Sequence, residues 1–194
     1  MKTIGVLGLQ GDVAEHIGMV RQLGGEAVWL KKASQLGNID ALIIPGGEST
    51  TIGGLLADNG MFREIVQLGR GGLPIFGTCA GAILLAKKGD AQVRRTGQQL
   101  LGLMDMKVDR NAFGRQRDSF ETPLKIRGIP GKGPFNGVFI RAPVIEEVYG
   151  NCMAISEYGR KIVAARQANF LACCFHPELT DDPRVHRFFL GMIE

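Results

Sequence analysis

The chain has 194 residues, of which 45% are hydrophobic and 22% are charged. A domain of this size buries roughly 70% of the surface of its unfolded chain, so we expect residues 1–194 to form a single domain that needs no disulfide support. The net charge is only +4 and aromatic residues make up 7% of the chain, which argues against a protein that binds nucleic acid by base stacking.

The sequence carries no signal for a membrane or for secretion. No apolar run reaches the roughly 18 residues that a membrane helix needs, and the N-terminus enters a strand-like run without the features of a signal peptide. The four cysteines lack the spacing of a zinc site, so we expect reduced thiols. These features predict a cytoplasmic protein that binds neither membranes nor nucleic acid.

Strand-like runs alternate with helical periodicity in the first half of the chain. The expected strands cover residues 3–9, 27–30, 41–44 and 73–76, and the expected helices cover residues 12–23, a segment from residue 49, and residues 82–87. Asp12 and Ser49 are the expected N-caps of the first two helices. This alternation predicts an α/β fold of three layers, with a mostly parallel central sheet and helices on both faces.

The second half is richer in short strands. We expect them at residues 104–108, 119–126, 137–140, 153–156, 161–166 and 170–175, followed by a last helix over residues 182–192. The polar stretch over residues 87–99 is expected to be a surface loop. Parallel sheets bind ligands at the carboxyl ends of their strands, and glycine turns follow three of the expected strands there, at residues 10–11, 45–47 and 77–81.

The turn at residues 77–81, Gly-Thr-Cys-Ala-Gly, has the spacing of a nucleophile elbow with Cys79 as the nucleophile. Small flanking residues allow a sharp turn from strand to helix, and the start of the helix favours a negative charge. The alternative is a buried cysteine in a glycine-rich turn. Small hydrophobic filling is the expected role of Cys152, Cys173 and Cys174.

A thiol nucleophile needs a base, and His176 is the best placed of the three histidines. It follows an apolar strand and precedes Pro177, which favours an extended backbone. In an extended chain His176 and Glu178 share a face, so that Glu178 can orient the imidazole. His16 and His186 lie in amphipathic helices, where a solvated or packed role is expected.

An oxyanion hole should complete the site. Residues 45–49, Pro-Gly-Gly-Glu-Ser, end the third strand at the same edge of the sheet as Cys79. Glycine lets a bare backbone N–H face a substrate, which makes Gly47 one expected donor. The N–H of Ala80, directly after the nucleophile, is the other. An ordinary tight turn is the alternative for this segment.

Several of these motifs resemble known families. The elbow at residues 77–81, Pro-Gly-Gly-Glu-Ser-Thr at residues 45–50 and Phe-His-Pro-Glu at residues 175–178 resemble class I (triad) glutamine amidotransferases, whose fold is flavodoxin-like. Further runs resemble the glutaminase subunits of pyridoxal 5′-phosphate synthase: residues 4–11 (Ile-Gly-Val-Leu-Gly-Leu-Gln-Gly), 110–116 (Arg-Asn-Ala-Phe-Gly-Arg-Gln), 139–143 (Phe-Ile-Arg-Ala-Pro) and 175–180 (Phe-His-Pro-Glu-Leu-Thr). The resemblance spans essentially the whole chain.

The resemblance implies hydrolysis of L-glutamine to glutamate and delivery of ammonia to a synthase subunit, which makes pyridoxal 5′-phosphate. It implies Cys79 as nucleophile, His176 as base and Glu178 as its orienting group. The implied substrate-binding residues are Gly47, Glu48, Ser49, Arg110, Ile140 and Arg141. Gln10 would lie at the partner face near the oxyanion turn.

The residues themselves support glutamine only in part. By charge, Arg110 or Arg141 could pair the α-carboxylate of glutamine, and Glu48 could pair its ammonium group. No metal or bound cofactor is needed for the thioester chemistry. Three alternatives stay open: a different Cys-His hydrolase such as a peptidase or thiol chaperone, a non-catalytic module that regulates the synthase, and a glutaminase that serves another acceptor.

Overall fold

The computed structural model of the chain describes residues 2–110 and 119–193. Most of the Arg-Asn-Ala-Phe-Gly-Arg-Gln motif, residues 111–116, lies outside the described residues. The strands are β1 (Thr3–Leu7), β2 (Glu26–Leu30), β3 (Ala41–Ile44), β4 (Ile75–Thr78), β5 (Ala86–Gly89), β6 (Met104–Asp109), β7 (Ser119–Leu124), β8 (Phe135–Ile140), β9 (Val144–Val148), β10 (Met153–Tyr158), β11 (Lys161–Gln167) and β12 (Phe170–Cys173). The α-helices are α1 (Val13–Gln22), α2 (Ser49–Asp58), α3 (Met61–Arg70), α4 (Ala80–Leu85), α5 (Ala91–Thr96) and α6 (Arg184–Leu190). Short 3-10 helices cover Ala33–Asn38 and Pro177–Leu179.

Ten of the described strands form one sheet, in the order β2-β1-β3-β4-β12-β11-β9-β6-β5, with β10 paired to β11. The neighbours from β2 to β12 are all parallel. The pairs from β12 through β11 and β9 to β6, and the pair of β10 with β11, are antiparallel, whereas β5 pairs with β6 in parallel. Strands β7 and β8 form a separate two-stranded sheet. The expected α/β fold with a mostly parallel central sheet is confirmed.

The strand order reverses next to β1, since the chain runs outward from β1 to β2 and then returns across β1 to β3. Parallel crossovers are right-handed, so α1 and the α2–α3 pair cover opposite faces of the sheet. The loops that follow β1 and β3 therefore meet at a topological switch point, where ligands bind in open α/β sheets. Every helix within residues 2–110 and 119–193 is too short or too polar to span a lipid bilayer.

Burial explains why the central strands read as continuous apolar runs. All four residues of β3 and all four of β4 are buried, because helices cover both faces of the parallel sheet. Strand β2 lies at the edge of the sheet, where it pairs with β1 on one side. Its residue Trp29 is 45% exposed. The four cysteines are all unpaired and buried.

Two glycines let α4 begin directly against the sheet. A Cβ atom on Gly81 would lie 2.1 Å from the carbonyl oxygen of Ile44 in β3, and a Cβ atom on Gly77 would lie 2.5 Å from the carbonyl carbon of Gly81. The backbones of β3 and β4 cannot move away from these contacts without disturbing the sheet, because the two strands are paired with each other. The glycines that flank the elbow are therefore required by packing against backbone.

The polar stretch over residues 87–99 is not a surface loop, contrary to expectation. It forms most of β5, which pairs in parallel with β6, and α5. The carboxylate of Asp90 caps α5 by accepting a hydrogen bond from the Val93 N–H at 2.8 Å, and Gly97 ends the helix at φ 63°. Pairing with β6 and the buried Val93 side chain outweigh the polar composition.

The expected N-caps also need correction. Glu48, not Ser49, caps α2, because its carboxylate accepts hydrogen bonds from the N–H groups of Thr50 and Thr51. Asp12 is the N-cap residue of α1 by position but its side chain makes no capping hydrogen bond. The single helix expected after residue 49 is divided into α2 and α3 at Gly60, whose φ of 75° a helix interior does not accept.

Two helical glycines test this packing. We predict that Gly81→Ala lowers the free energy of unfolding by about 1–3 kcal/mol, because the added methyl group meets backbone of the sheet. Gly54→Ala in α2 is the matched control: a Cβ atom there meets nothing within 4 Å, and the free energy of unfolding should rise by about 0.5–1 kcal/mol. Urea denaturation of both variants gives the comparison, and equal stability of the two would contradict the packing.

Candidate active site

Cys79 lies on a strained turn between β4 and α4. Its backbone has φ 47° and ψ −101°, in a region that residues other than glycine rarely adopt. Its N–H donates to the carbonyl oxygen of Cys173 at 2.8 Å, which holds the turn against β12. The thiol Sγ lies 4.0 Å from the carbonyl oxygen of Ile140. This strand-turn-helix geometry is that of a nucleophile elbow.

His176 and Glu178 are in contact, as expected, but the backbone between them is not extended. Nδ1 of His176 lies 2.8 Å from Oε1 of Glu178, and both residues are buried. Pro177 begins a 3-10 helix, because the fixed φ of proline suits the first helical position. The N–H of His176 donates to the carbonyl oxygen of Val138 at 2.8 Å, which ties this loop to β8.

The surroundings of His176 favour its protonated form. Burial lowers the pKa of His176, but hydrogen bonds with Cys79 and Glu178 outweigh burial and raise this pKa to about 10. Burial also raises the pKa of Glu178, against the influence of His176. At neutral pH the imidazole therefore carries a proton beside Cys79, and a neighbouring imidazolium stabilises a thiolate nucleophile.

Asp12 is a site residue that sequence reasoning missed. Its Oδ2 lies 3.2 Å from Nδ1 of His176, so two carboxylates face the same imidazole nitrogen. The signal was present, since Asp12 follows the first glycine turn at the edge of the sheet where Cys79 was expected. Ligand atoms of Asp12, His176 and Glu178 lie within 4.8 Å of one another, a spacing that could hold a metal ion. Nδ1 is already hydrogen-bonded to Glu178, so we assign the cluster to orientation of the imidazole.

A cavity of about 460 Å³ opens beside the thiol. It is lined by Gln10, Asp12, Gly47, Glu48, Ser49, Cys79, Ile83, Arg110, Ile140, Arg141 and His176. Every residue expected from the sequence to bind substrate is in this lining. Glu178 and Ala80 are not, because Glu178 lies behind the imidazole and Ala80 begins α4 behind the nucleophile. The volume suits a small molecule rather than a folded partner.

The peptide between Gly46 and Gly47, in the turn after β3, has one defined orientation. Gly47 has a φ of 140°, and the Gly46 carbonyl oxygen would lie 1.7 Å from a Cβ atom on Gly11. The N–H of a trans peptide points away from its carbonyl, so the Gly47 N–H points away from Gly11. Ala80 is the first residue of α4, and its N–H has no acceptor within the helix.

Gln10 braces the glycine turn. Its side-chain Oε1 accepts a hydrogen bond from the N–H of Glu48 at 3.1 Å, and it would lie 3.4 Å from a Cβ atom on Gly47. Gln10 itself is exposed. An exposed side chain therefore touches the turn that carries the expected oxyanion donor.

Glu48 and Arg110 both line the cavity, but their charged groups pair with each other. Nη2 of Arg110 donates to Oε1 of Glu48 at 2.9 Å, and Nη1 donates to Thr50 and Gln98. Burial raises the pKa of Glu48, but hydrogen bonds from Thr51 and Thr50 and the charge of Arg110 outweigh it and lower this pKa to about 2. Glu48 is therefore a charged helix cap as well as part of the cavity wall.

The other side of the cavity is formed by the segment after β8. Ile140 is 38% exposed, and Arg141 has an unusual φ of 41°. Among residues 2–110 and 119–193, no hydrogen bond or ion pair holds the Arg141 guanidinium. Ser49 is buried on the opposite wall, where its Oγ donates to Oε1 of Gln98 at 3.3 Å.

A second buried group lies behind Glu178. His16 of α1 and His186 of α6 are in hydrogen-bond contact at 2.9 Å, and His16 Nε2 lies 3.5 Å from Oε2 of Glu178. The sequence predicted a packed or solvated role for both histidines; both are packed, but they also face the site. No sequence motif indicates this contact, because the two residues are 170 positions apart.

A nucleophile elbow at the switch point of a flavodoxin-like sheet, with an adjacent His–Glu pair, defines a class I glutamine amidotransferase. Comparison with solved structures agrees: the chain superposes on one described as a crystal structure of glutamine amidotransferase, with a TM-score of 0.90 and 46% identity, over 98% of each chain.

The particular family follows from sequence comparison. The model of the SNO glutamine amidotransferase family matches residues 6–194, and the chain belongs to this family. It is 54% identical to a pyridoxal 5′-phosphate synthase subunit PdxT from Pelotomaculum thermopropionicum, over 96% of this chain and 93% of that protein. It is 53% identical to the subunit of the same name from Methanocella arvoryzae, over 98% of this chain and 96% of that protein.

Proposed function

We propose that this chain hydrolyses L-glutamine to L-glutamate and ammonia, and that it delivers the ammonia to a synthase subunit that makes pyridoxal 5′-phosphate. The observation that carries the glutaminase activity is the strained Cys79 turn beside the buried His176–Glu178 pair, at one end of a cavity of suitable size. The acceptor is proposed from the similarity to PdxT subunits over nearly the full length of both chains.

Charge at the cavity supports an amino-acid substrate. Arg110 is already paired with Glu48, so among the described residues that line the cavity Arg141 offers a free positive charge for the α-carboxylate of glutamine. The Glu48 side chain is 46% exposed, so its carboxylate can accept a further hydrogen bond from the ammonium group. Backbone of Gly47, Ser49 and Ile140 would form the rest of the binding surface.

The reaction proceeds through a thioester. The Cys79 sulfur attacks the side-chain amide carbon of glutamine, and the resulting oxyanion accepts hydrogen bonds from the N–H groups of Gly47 and Ala80. As the C–N bond breaks, the imidazolium of His176 gives its proton to the amide nitrogen, which leaves as ammonia. Water then attacks the γ-glutamyl thioester while neutral His176 accepts a proton from it, and the C–S bond breaks, which releases glutamate and restores the Cys79 thiolate beside the His176 imidazolium.

The proposal also covers the domain organisation of the chain, its location and its need for a cofactor. One ten-stranded sheet runs through the described residues, which supports a single domain over residues 1–194. Four unpaired, buried cysteines suit a reducing compartment, so we place the chain in the cytoplasm. The chemistry uses the chain's own residues and requires no bound cofactor or metal.

Loss of the nucleophile should stop glutamine hydrolysis by this chain but not the synthesis of pyridoxal 5′-phosphate from ammonia by the synthase subunit. We predict that Cys79→Ala lowers the rate of glutamine hydrolysis by at least about 10³-fold, because no thioester can form. With ammonium salts in place of glutamine, the variant mixed with the synthase subunit should still make pyridoxal 5′-phosphate. Glutamate release and pyridoxal 5′-phosphate formation are the two measurements.

The matched control for Cys79→Ala is Cys152→Ala. Cys152 is also buried, and burial raises the pKa of its thiol to about 11, so it is not a nucleophile at neutral pH. Cys152→Ala should therefore keep glutamine-dependent synthesis. A Cys79→Ala chain that hydrolyses glutamine within tenfold of the unsubstituted rate would refute the proposed mechanism.

Partner contact is proposed to act through Gln10. A flip of the Gly46–Gly47 peptide would exchange an oxyanion donor for a carbonyl, and glycine permits such a flip at low steric cost. Removing one oxyanion donor costs roughly 10²- to 10³-fold in kcat. Because Gln10 braces this turn, we predict that binding of the synthase raises kcat of the chain, and that Gln10→Ala removes most of the increase.

Two substitutions make the Gln10 test specific. Gln10→Glu keeps an oxygen that can accept from the Glu48 N–H and should retain more of the activation than Gln10→Ala. Gln22→Ala removes another exposed glutamine at the opposite end of α1 and should change nothing. A ratio of kcat with and without synthase near one would reject the coupling, and a large ratio that survives Gln10→Ala would reject Gln10 as its route.

A further inference from the structure

A chain of buried polar contacts continues from the triad into the interior. Oε2 of Glu178 has no hydrogen-bond partner of ordinary length among the described residues, and Nε2 of His16 lies 3.5 Å from it. The same Nε2 lies 3.1 Å from Oγ1 of Thr78, and Nδ1 of His16 lies 2.9 Å from Nε2 of His186. His16, Thr78 and His186 are all at most 1% exposed.

The environment keeps both histidines neutral. The ring of Phe76 meets His16 and His186 edge-on, with ring centroids 6.1 Å and 5.7 Å apart. Burial, followed by the charges of His186 and His176, lowers the pKa of His16 well below its usual value. Burial lowers the pKa of His186 to about 4. Each ring therefore carries one N–H at neutral pH.

Only two arrangements of those two protons satisfy the contact between the rings. In the first, the His186 Nε2–H donates to His16 Nδ1, and His16 carries its proton on Nε2, facing Thr78 and Glu178. In the second, the His16 Nδ1–H donates to His186, whose own proton lies on Nδ1. That nitrogen has no partner among the described residues, so the second arrangement buries an unpaired donor.

The contact with Glu178 favours the first arrangement. In the second arrangement the Nε2 lone pair of His16 would face the carboxylate oxygen Oε2, and the two negative centres would repel each other. In the first, an N–H faces that oxygen and is shared with Oγ1 of Thr78, while the Thr78 hydroxyl proton and the acceptor nitrogen Nδ1 of His186 have no partner among the described residues. Each arrangement therefore leaves one donor unpaired, and the contact with the Glu178 carboxylate decides between them.

We propose that His16 is a positioning residue of the triad: its Nε2–H stabilises the ionised carboxylate of Glu178 from behind, and His186 fixes the His16 tautomer that provides this N–H. This inference rests on the proposed glutaminase function and adds two buried residues behind Glu178 to the catalytic site. Glu178 is then held between two imidazoles, with Oε1 on His176 and Oε2 facing His16.

The proposal sets the direction of a pH effect. The titratable groups that face Glu178 are His176 on its own loop, His16 and Asp12 from α1 and its N-cap, and Cys173 from β12. Burial keeps Cys173 a neutral thiol, and the Asp12 charge opposes ionisation of Glu178. Removing the His16 N–H should therefore raise the pKa of Glu178 and move the acid limb of kcat/KM to higher pH.

The wild-type tautomer can be measured without any activity. In ¹⁵N-histidine-labelled chain, NMR correlations should show His16 neutral, protonated on Nε2 and hydrogen-bonded at Nδ1, from pH 6 to 8. Assignment uses His16→Phe and His186→Phe spectra. A His16 ring protonated on Nδ1, or a charged His16 at pH 7, would overturn the proposal.

Three variants of His16 test its effect on catalysis in the complex with the synthase. His16→Phe, which has no donor, should move the acid limb of kcat/KM for glutamine upward by about one pH unit, a tenfold loss below that limb, while KM changes less than twofold. His16→Gln can again place an N–H near the Nε2 position and should restore at least half of the shift. His16→Asn is too short to reach Glu178 and should behave like His16→Phe.

Phe189→Leu is the control for packing alone, since Phe189 is buried against Phe76 but is not part of the polar chain. It should lower stability and leave the acid limb in place. An acid limb that His16→Phe does not move, or that Phe189→Leu moves equally, would reject the positioning role. If the unsubstituted complex hydrolyses no glutamine, the proposed function fails instead, and the NMR result still decides the tautomer.

Discussion

The contact between a buried carboxylate and a buried imidazole is the constraint on which the site depends. Glu178 and His176 are both nearly inaccessible to water, and their side chains meet at 2.8 Å. An unpaired charge in this position would be strongly destabilising, so the pair must form when the chain folds. Forming it requires the loop after β12 to lie against β8 and α1, which brings distant parts of the chain to one edge of the sheet.

A second constraint is backbone packing at that edge. Gly11, Gly46, Gly77 and Gly81 each lie where a Cβ atom would come within about 2.5 Å of another atom, and for three of them that atom is backbone. Their close approach brings the loops after β1, β3 and β4 together at the switch point. The strained Cys79 backbone lies between two of these positions, Gly77 and Gly81, whose close contacts are with backbone atoms. Packing and catalysis therefore depend on the same few positions.

The sequence predicted those parts of the site that are local in the chain. The elbow around Cys79 and the His176–Glu178 pair are short motifs, and alternating strands and helices predicted the sheet. The formation of β5 and α5 and the orientation of the Asp12 side chain depend on tertiary contacts, such as the pairing of β5 with β6 and the contact of Asp12 with His176. Local composition therefore did not predict them. The contact of His16 with His186 depends on how α1 and α6 pack, which no local pattern encodes.

Hydrogen bonds with Cys79 and Glu178 hold a proton on His176 beside the nucleophile. A ¹⁵N NMR titration of His176 in the free chain between pH 6 and 11, with Cys79→Ala measured in parallel, tests this protonation. We expect a protonated imidazole at pH 8 that titrates near pH 10, and a lower titration point in Cys79→Ala, where the thiol hydrogen bond is missing. A neutral His176 at pH 7.5 in the unsubstituted chain would show that the site does not hold this proton.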